Sequence, residues 1–199
     1  MDILPIIKKR CSIRRYKNKP IPKKALDKII EAGIWGPSVP SFLRIQPWKF
    51  VVITNKEVIS TLAGIVLKKS KKSATGVNIL LKAAANIIAN AQAIIAVYKT
   101  TEMEKAKIKY KELAANFGEI LDKAQLCAIS ASIQNMILVA ESLKIGSCWL
   151  DMPLFCEKEI SRLLKNNAPL VAFLTLGYPA EKGRRATRKS LSEMLEYVK

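Results

Sequence analysis

The chain is 199 residues long and half hydrophobic, enough for one well-packed core, while its longest apolar stretch, residues 83–97, is broken by Asn86, Asn90 and Gln92, so no membrane span of roughly 20 residues is present. With 34 basic and 16 acidic residues the net charge is +18, a field that draws phosphates, nucleotides or nucleic acid. Histidine is absent, which excludes Ser-His and Cys-His nucleophiles, a His-ligated zinc and a histidine general base, so an enzyme built on this chain has to borrow its chemistry.

In chain order, the first sixteen residues lack the apolar core and small-residue cleavage site of a secretory signal, and the expectation is a cytoplasmic protein without a membrane. Pro22 followed by residues 23–32 predicts a helix with Leu26, Ile29 and Ile30 on one face and Gly33 as its stop. Residues 36–41, with two prolines, predict a loop, and residues 48–54 a strand, after which Asn55 is placed to cap the next helix. Residues 73–90 read as helix and 93–98 as a buried strand; Thr101 and Glu104 have the spacing of a capping box. From 122 to 143, Leu126, Ile129, Ile133, Ile137 and Ala140 recur at threes and fours, the mark of a long central helix with a buried face. A short strand at 147–150, a helix at 157–164, a strand at 170–176 ending at Gly177, and a basic segment turning helical from Ser190 complete about four strands among helices. No Gly-x-Gly-x-x-Gly or P-loop occurs, and no repeat or linker divides the chain, so residues 1–199 are expected to form one domain.

Cys11, Cys127, Cys148 and Cys156 include no Cys-x-x-Cys pair and read as free thiols, Cys148 and Cys156 as buried ones with no basic neighbour. Trp35 and Trp48 read as wedges fixing the intervening loop to the core rather than as covers for a cofactor, and Phe42 and Tyr110 as lining of a substrate pocket or as packing residues, which nothing local tells apart. The lysine runs at 68–72 and 105–111 suit a solvated surface better than a nucleic-acid site.

Arg10, Ser12 and Arg14 alternate, so an extended backbone aims two guanidinium groups and a hydroxyl at one anion; ordinary surface charge is the competing reading. Read with Arg10-Cys11-Ser12-Ile13-Arg14-Arg15-Tyr16, three further stretches resemble the FMN-dependent nitroreductase family across essentially the whole chain. They are Trp35-Gly36-Pro37-Ser38 with Gln46-Pro47-Trp48, Ala131-Ser132-Ile133-Gln134-Asn135-Met136 with Gly146-Ser147-Cys148-Trp149, and Leu176-Gly177-Tyr178-Pro179-Ala180-Glu181.

The resemblance implies an α+β fold with a mostly antiparallel sheet flanked by helices, and an intertwined homodimer with one FMN in each of two interface sites. It places Arg10, Cys11, Ser12 and Arg14 on the flavin and its phosphate, with Arg14 near the pyrimidine side. Pro37 and Ser38 would approach the ring from the second subunit, Asp151 and Met152 would lie near the ring, and Arg188 with Lys189 would complete the phosphate site in a segment crowded by Arg184 and Arg185. It implies hydride uptake from NADH or NADPH and reduction of a small-molecule acceptor such as a nitroaromatic or quinone. Within the wider superfamily, other flavin reactions, flavin fragmentation and dehalogenation, are the alternative. A basic module binding nucleic acid or another anion without catalysis is a third reading, resting on charge alone. Two departures stand out: residues 39–45 lengthen the loop between Ser38 and Gln46, with Arg44 where many members carry asparagine, and Cys11 stands where arginine or histidine is common, favouring a backbone contact there.

Overall fold

The computed structural model describes residues 2–38 and 44–198. Its sheet holds four strands, β1 (Trp48–Ile53), β2 (Ala93–Lys99), β3 (Gly146–Leu150) and β4 (Leu170–Gly177), in the order β1-β2-β4-β3 with every neighbour antiparallel. Six consecutive residues of β2, Ala93 to Tyr98, are buried, which requires cover on both sides of the sheet.

The period of two along β2 deals its residues to two cores. Ile94, Ala96 and Tyr98 pack with Leu62 and Val66 of α3 (Lys56–Ser70) and Leu81 and Ile88 of α4 (Thr75–Asn90). Ala93, Ile95 and Val97 pack with Ile29 of α2 (Lys23–Ile34) and with Ile133 and Met136 of the long α6 (Lys111–Ser142). The fold is thus α+β, a sheet between two helical layers. The smaller elements are α1 (Leu4–Lys9), α5 (Glu102–Lys109), a 3-10 turn at Met152–Cys156, α7 (Glu157–Leu164) and α8 (Leu191–Met194). No helix among the described residues is long and apolar enough to cross a membrane.

Asn55 caps α3 as expected, its Oδ1 accepting from the amides of Glu57 at 2.9 Å and Val58 at 3.1 Å. Several other expectations are corrected. Gly33 does not stop α2, which runs on to Ile34; a Cβ there would sit 2.9 Å from Met136 Cγ, so the glycine serves the close approach of α2 to α6. Thr101 precedes α5 but its side chain makes no capping bond, and the Glu104 carboxylate instead faces Lys99 at 3.4 Å and Lys107 at 3.5 Å. Ion pairing wins over the reach back to the backbone. Leu126 is 55% exposed, whereas Ile129, Ile133, Ile137 and Ala140 are buried; Gln125 beside it and Leu121 before it are buried too, so the covered face of α6 lies to one side of Leu126. Trp48 is buried as a wedge, but Trp35 is 78% exposed and is held through its backbone, its amide donating to the Glu31 carbonyl at 3.3 Å and its carbonyl accepting from Asn135 Nδ2 at 3.3 Å. Tyr110 is 41% exposed, so it is not a packing residue, and Phe42 lies outside the described residues together with positions 39–41 and 43 of the loop.

Candidate functional site

After α1 the chain leaves the helix at Arg10 and runs extended beside the start of β3, where the Ile13 amide donates to the Ser147 carbonyl at 2.9 Å. Ile13 is buried, and in an extended chain its neighbours on either side point away from it, which leaves Arg14 exposed and Ser12 half-buried on the other side of the segment. Tyr16 locks the far end of this segment. Its hydroxyl donates to the Ile13 carbonyl at 2.7 Å and lies 2.8 Å from Thr175 Oγ1, and burial pushes the phenol well above its ordinary range. Gly177 lies directly against this ring; a Cβ there would come within 2.6 Å of Tyr16 Cβ.

Beyond β4, residues 178–183 fold back along the same segment. The Lys17 amide donates to the Tyr178 carbonyl at 2.8 Å and the Ala180 amide to the Arg15 carbonyl at 3.0 Å. Glu181 then closes the pairing: one carboxylate oxygen accepts from the amides of Arg14 at 2.7 Å and Arg15 at 3.2 Å, the other from Arg15 Nε at 3.0 Å. Those bonds, led by that from the Arg14 amide, hold its carboxyl below the usual range. Gly183 is pressed against Cys11 Sγ, leaving no room for a side chain.

This docking creates a cavity of about 610 Å³ between the two segments, lined by Arg10, Cys11, Ser12 and Arg14 on one side, Arg184, Arg185, Ala186 and Arg188 on the other, and Ile7 with Lys8 at its end. Five arginines and one lysine face it, with no carboxylate in the lining. Such a set suits a doubly charged phosphate, which several guanidinium forks can share, and it suits nothing cationic.

Of the residues singled out from sequence, the structure brings Arg10, Cys11, Ser12, Arg14 and Arg188 to this one cavity. Lys189 is exposed and outside the lining, and Arg184 and Arg185 occupy the wall instead. Pro37 is exposed and Ser38 half-buried just beyond α2, away from this cavity. Asp151 accepts from Trp149 Nε1 at 2.6 Å at the end of β3, and Met152 packs half-buried on the core, neither of them on the cavity. Cys148 and Cys156 are buried, as expected, and burial raises both thiols; Arg14 and the Ser12 hydroxyl act on Cys148 in the opposite sense, so it does have a basic neighbour, but burial prevails. Sequence reasoning gave Glu181 no role and left Arg184 and Arg185 as crowding neighbours of the phosphate site rather than members of it. The signal was present in a single acid heading an otherwise basic segment.

A family model described as the nitroreductase family matches residues 7–178, and the chain belongs to that family. A protein of Methanothermobacter thermautotrophicus with the provisional name NADH dehydrogenase/NAD(P)H nitroreductase is 29% identical over 185 residues, 91% of this chain and 79% of its own. Iodotyrosine deiodinase 1 of Sus scrofa is 25% identical over 213 residues, covering 99% of this chain and 68% of its own. Among solved structures, a provisionally named nitroreductase of Desulfovibrio desulfuricans in complex with FMN superposes with a TM-score of 0.72 at 27% identity, over 100% of this chain and 98% of the other.

Proposed function

We propose that this chain is an FMN-dependent oxidoreductase that takes hydride from NADH or NADPH and reduces small acceptors such as nitroaromatics or quinones. The observation that carries this reading is the convergence of Arg10, Ser12 and Arg14 with Arg184, Arg185 and Arg188 on one carboxylate-free cavity. A phosphate monoester fits that donor set, and the flavin attached to it supplies the hydride and electron chemistry that a chain without histidine lacks.

Arg10, Ser12 and Arg188 hold the phosphate, aided by Arg184 and Arg185, while Arg14 offers positive charge to the pyrimidine side, where it favours the reduced, anionic form. Cys11 contributes through its backbone. Asp151 and Met152 lie near the ring, and Lys189 adds field without contact. Pro37 and Ser38 approach from a second subunit, and the exposure of Phe117, Ile120 and Leu126 on α6 supports a homodimer that covers them.

The test is direct. The purified protein is expected to be yellow, to bleach anaerobically with NADH or NADPH, and to reoxidise with one or more acceptors in a panel that includes halogenated phenols. Replacing Arg10 with Ala is expected to lower FMN affinity by ten- to a hundredfold, as for a lost charged bond, with Tm of the flavin-free protein unchanged. A colourless protein that refuses added FMN overturns the proposal.

A further inference from the structure

We infer that Glu181 is a positioning residue that makes the arginine cavity selective for the phosphorylated flavin; this rests on the FMN reading above. Glu181 does not line that cavity. Its carboxylate instead takes three donors from the back of the clamp, the amides of Arg14 and Arg15 and Arg15 Nε. Those two amides belong to the residues that carry the segment's outward charge, so the carboxylate fixes the backbone from which Arg14 is presented.

The same bond sets the opposite wall. Arg184, Arg185 and Arg188 follow Glu181 within seven positions, and Gly183 is seated against Cys11 two residues beyond that anchor. Five guanidinium groups around one cavity repel each other, and without a counter-charge the segment bearing three of them is driven outward. Glu181 supplies that counter-charge from behind, where it does not compete with an incoming anion. A carboxylate inside the cavity would pair with the arginines and repel phosphate; one at 2.7 Å from the Arg14 amide does neither.

The fold survives loss of this carboxylate at a small cost in stability, because the backbone bonds from Lys17 to Tyr178 and from Ala180 to Arg15 dock residues 178–180 without it, as does Tyr16 against Gly177. The inference therefore separates affinity for the phosphate from stability. In the full chain stripped of flavin, Glu181→Gln is expected to raise the Kd for FMN about tenfold, the effect of losing a charge-assisted bond, while the Kd for riboflavin, which meets Arg14 at the ring but has no phosphate for the other arginines, rises by no more than about threefold. Arg15→Gln removes one of the three donors from a residue outside the cavity, and a rise of about threefold in the FMN Kd alone is expected. An unchanged FMN Kd in both variants, or equal losses for FMN and riboflavin, overturns the inference. Should Glu181→Gln fail to fold, the Arg15→Gln result decides. A wild-type chain that binds neither flavin sinks the reading of the site itself, an outcome distinct from wild-type binding with no effect of the variants.

Discussion

Arg44 adopts φ 53, a left-handed backbone in which a long side chain is strained by roughly 1–2 kcal/mol. Asparagine tolerates that conformation far better, which gives a physical reason for the asparagine many family members carry at the position and makes the arginine a departure with a cost. Arg44→Gly is expected to stabilise the protein by about 0.5–1 kcal/mol, read as a rise of roughly 1–4 °C in Tm; an unchanged or lower Tm would count against strain there. Glu181 gives a second expectation. Its carboxyl is held low in the folded state, so its contribution is complete above the ordinary carboxylate range and is lost as pH falls through the lowered value. The Tm gap between the wild type and Glu181→Gln should therefore be widest near neutrality and close at acid pH. At this scale the sequence was partly legible: alternation at Arg10, Ser12 and Arg14 announced one wall of the cavity, but the partner wall depends on where residues 184–188 return, and no local pattern encodes a contact made across the fold.

The strands were the most legible elements, because burial on both faces leaves an unbroken apolar run, as in β2, that no surface helix or loop shares. Helix limits were less so. Gly33 has the composition of a stop signal, yet its reason for being glycine is the neighbouring α6, which a reading along one segment does not contain. Leu126 shows the complementary gap: periodicity tells which side of a helix is apolar, and only the neighbours, which bury Leu121 and Gln125 but not Leu126, tell which part of that side is covered. Two of the close-packed glycines, Gly33 and Gly177, should respond differently to substitution. At Gly33 the obstructing atoms are the flexible end of Met136 and the rim of Phe50, so Gly33→Ala is expected to cost about 1 kcal/mol. At Gly177 the obstruction is the Tyr16 stem, fixed to Ile13, and Gly177→Ala should cost about 2–3 kcal/mol and weaken FMN binding with it. Chemical denaturation of both variants checks the order.

For the molecule as a whole, the net charge of +18 alone could not separate a flavoenzyme from a basic adaptor; the family match over residues 7–178 does, and the arginines that meet at one cavity add a place suited to a phosphate. The exposed apolar residues Phe117, Ile120 and Leu126 set the expectation for assembly. Sedimentation is expected to give a dimer, and, on the proposed sharing of Pro37 and Ser38 between subunits, Ile120→Lys with Leu126→Lys is expected to give a monomer that has also lost its flavin. A monomer that keeps FMN would refute the shared site.

The bond between the Arg14 amide and Glu181 joins positions 167 residues apart. During synthesis the first wall of the cavity emerges long before the second, and a ribosome-bound chain that has not yet reached residue 188 has no enclosed anion site. Cofactor capture is thereby a late event in the life of the chain, and a bound flavin, touching both walls, would act as a ligature across its longest loop, adding stability in proportion to the logarithm of its concentration.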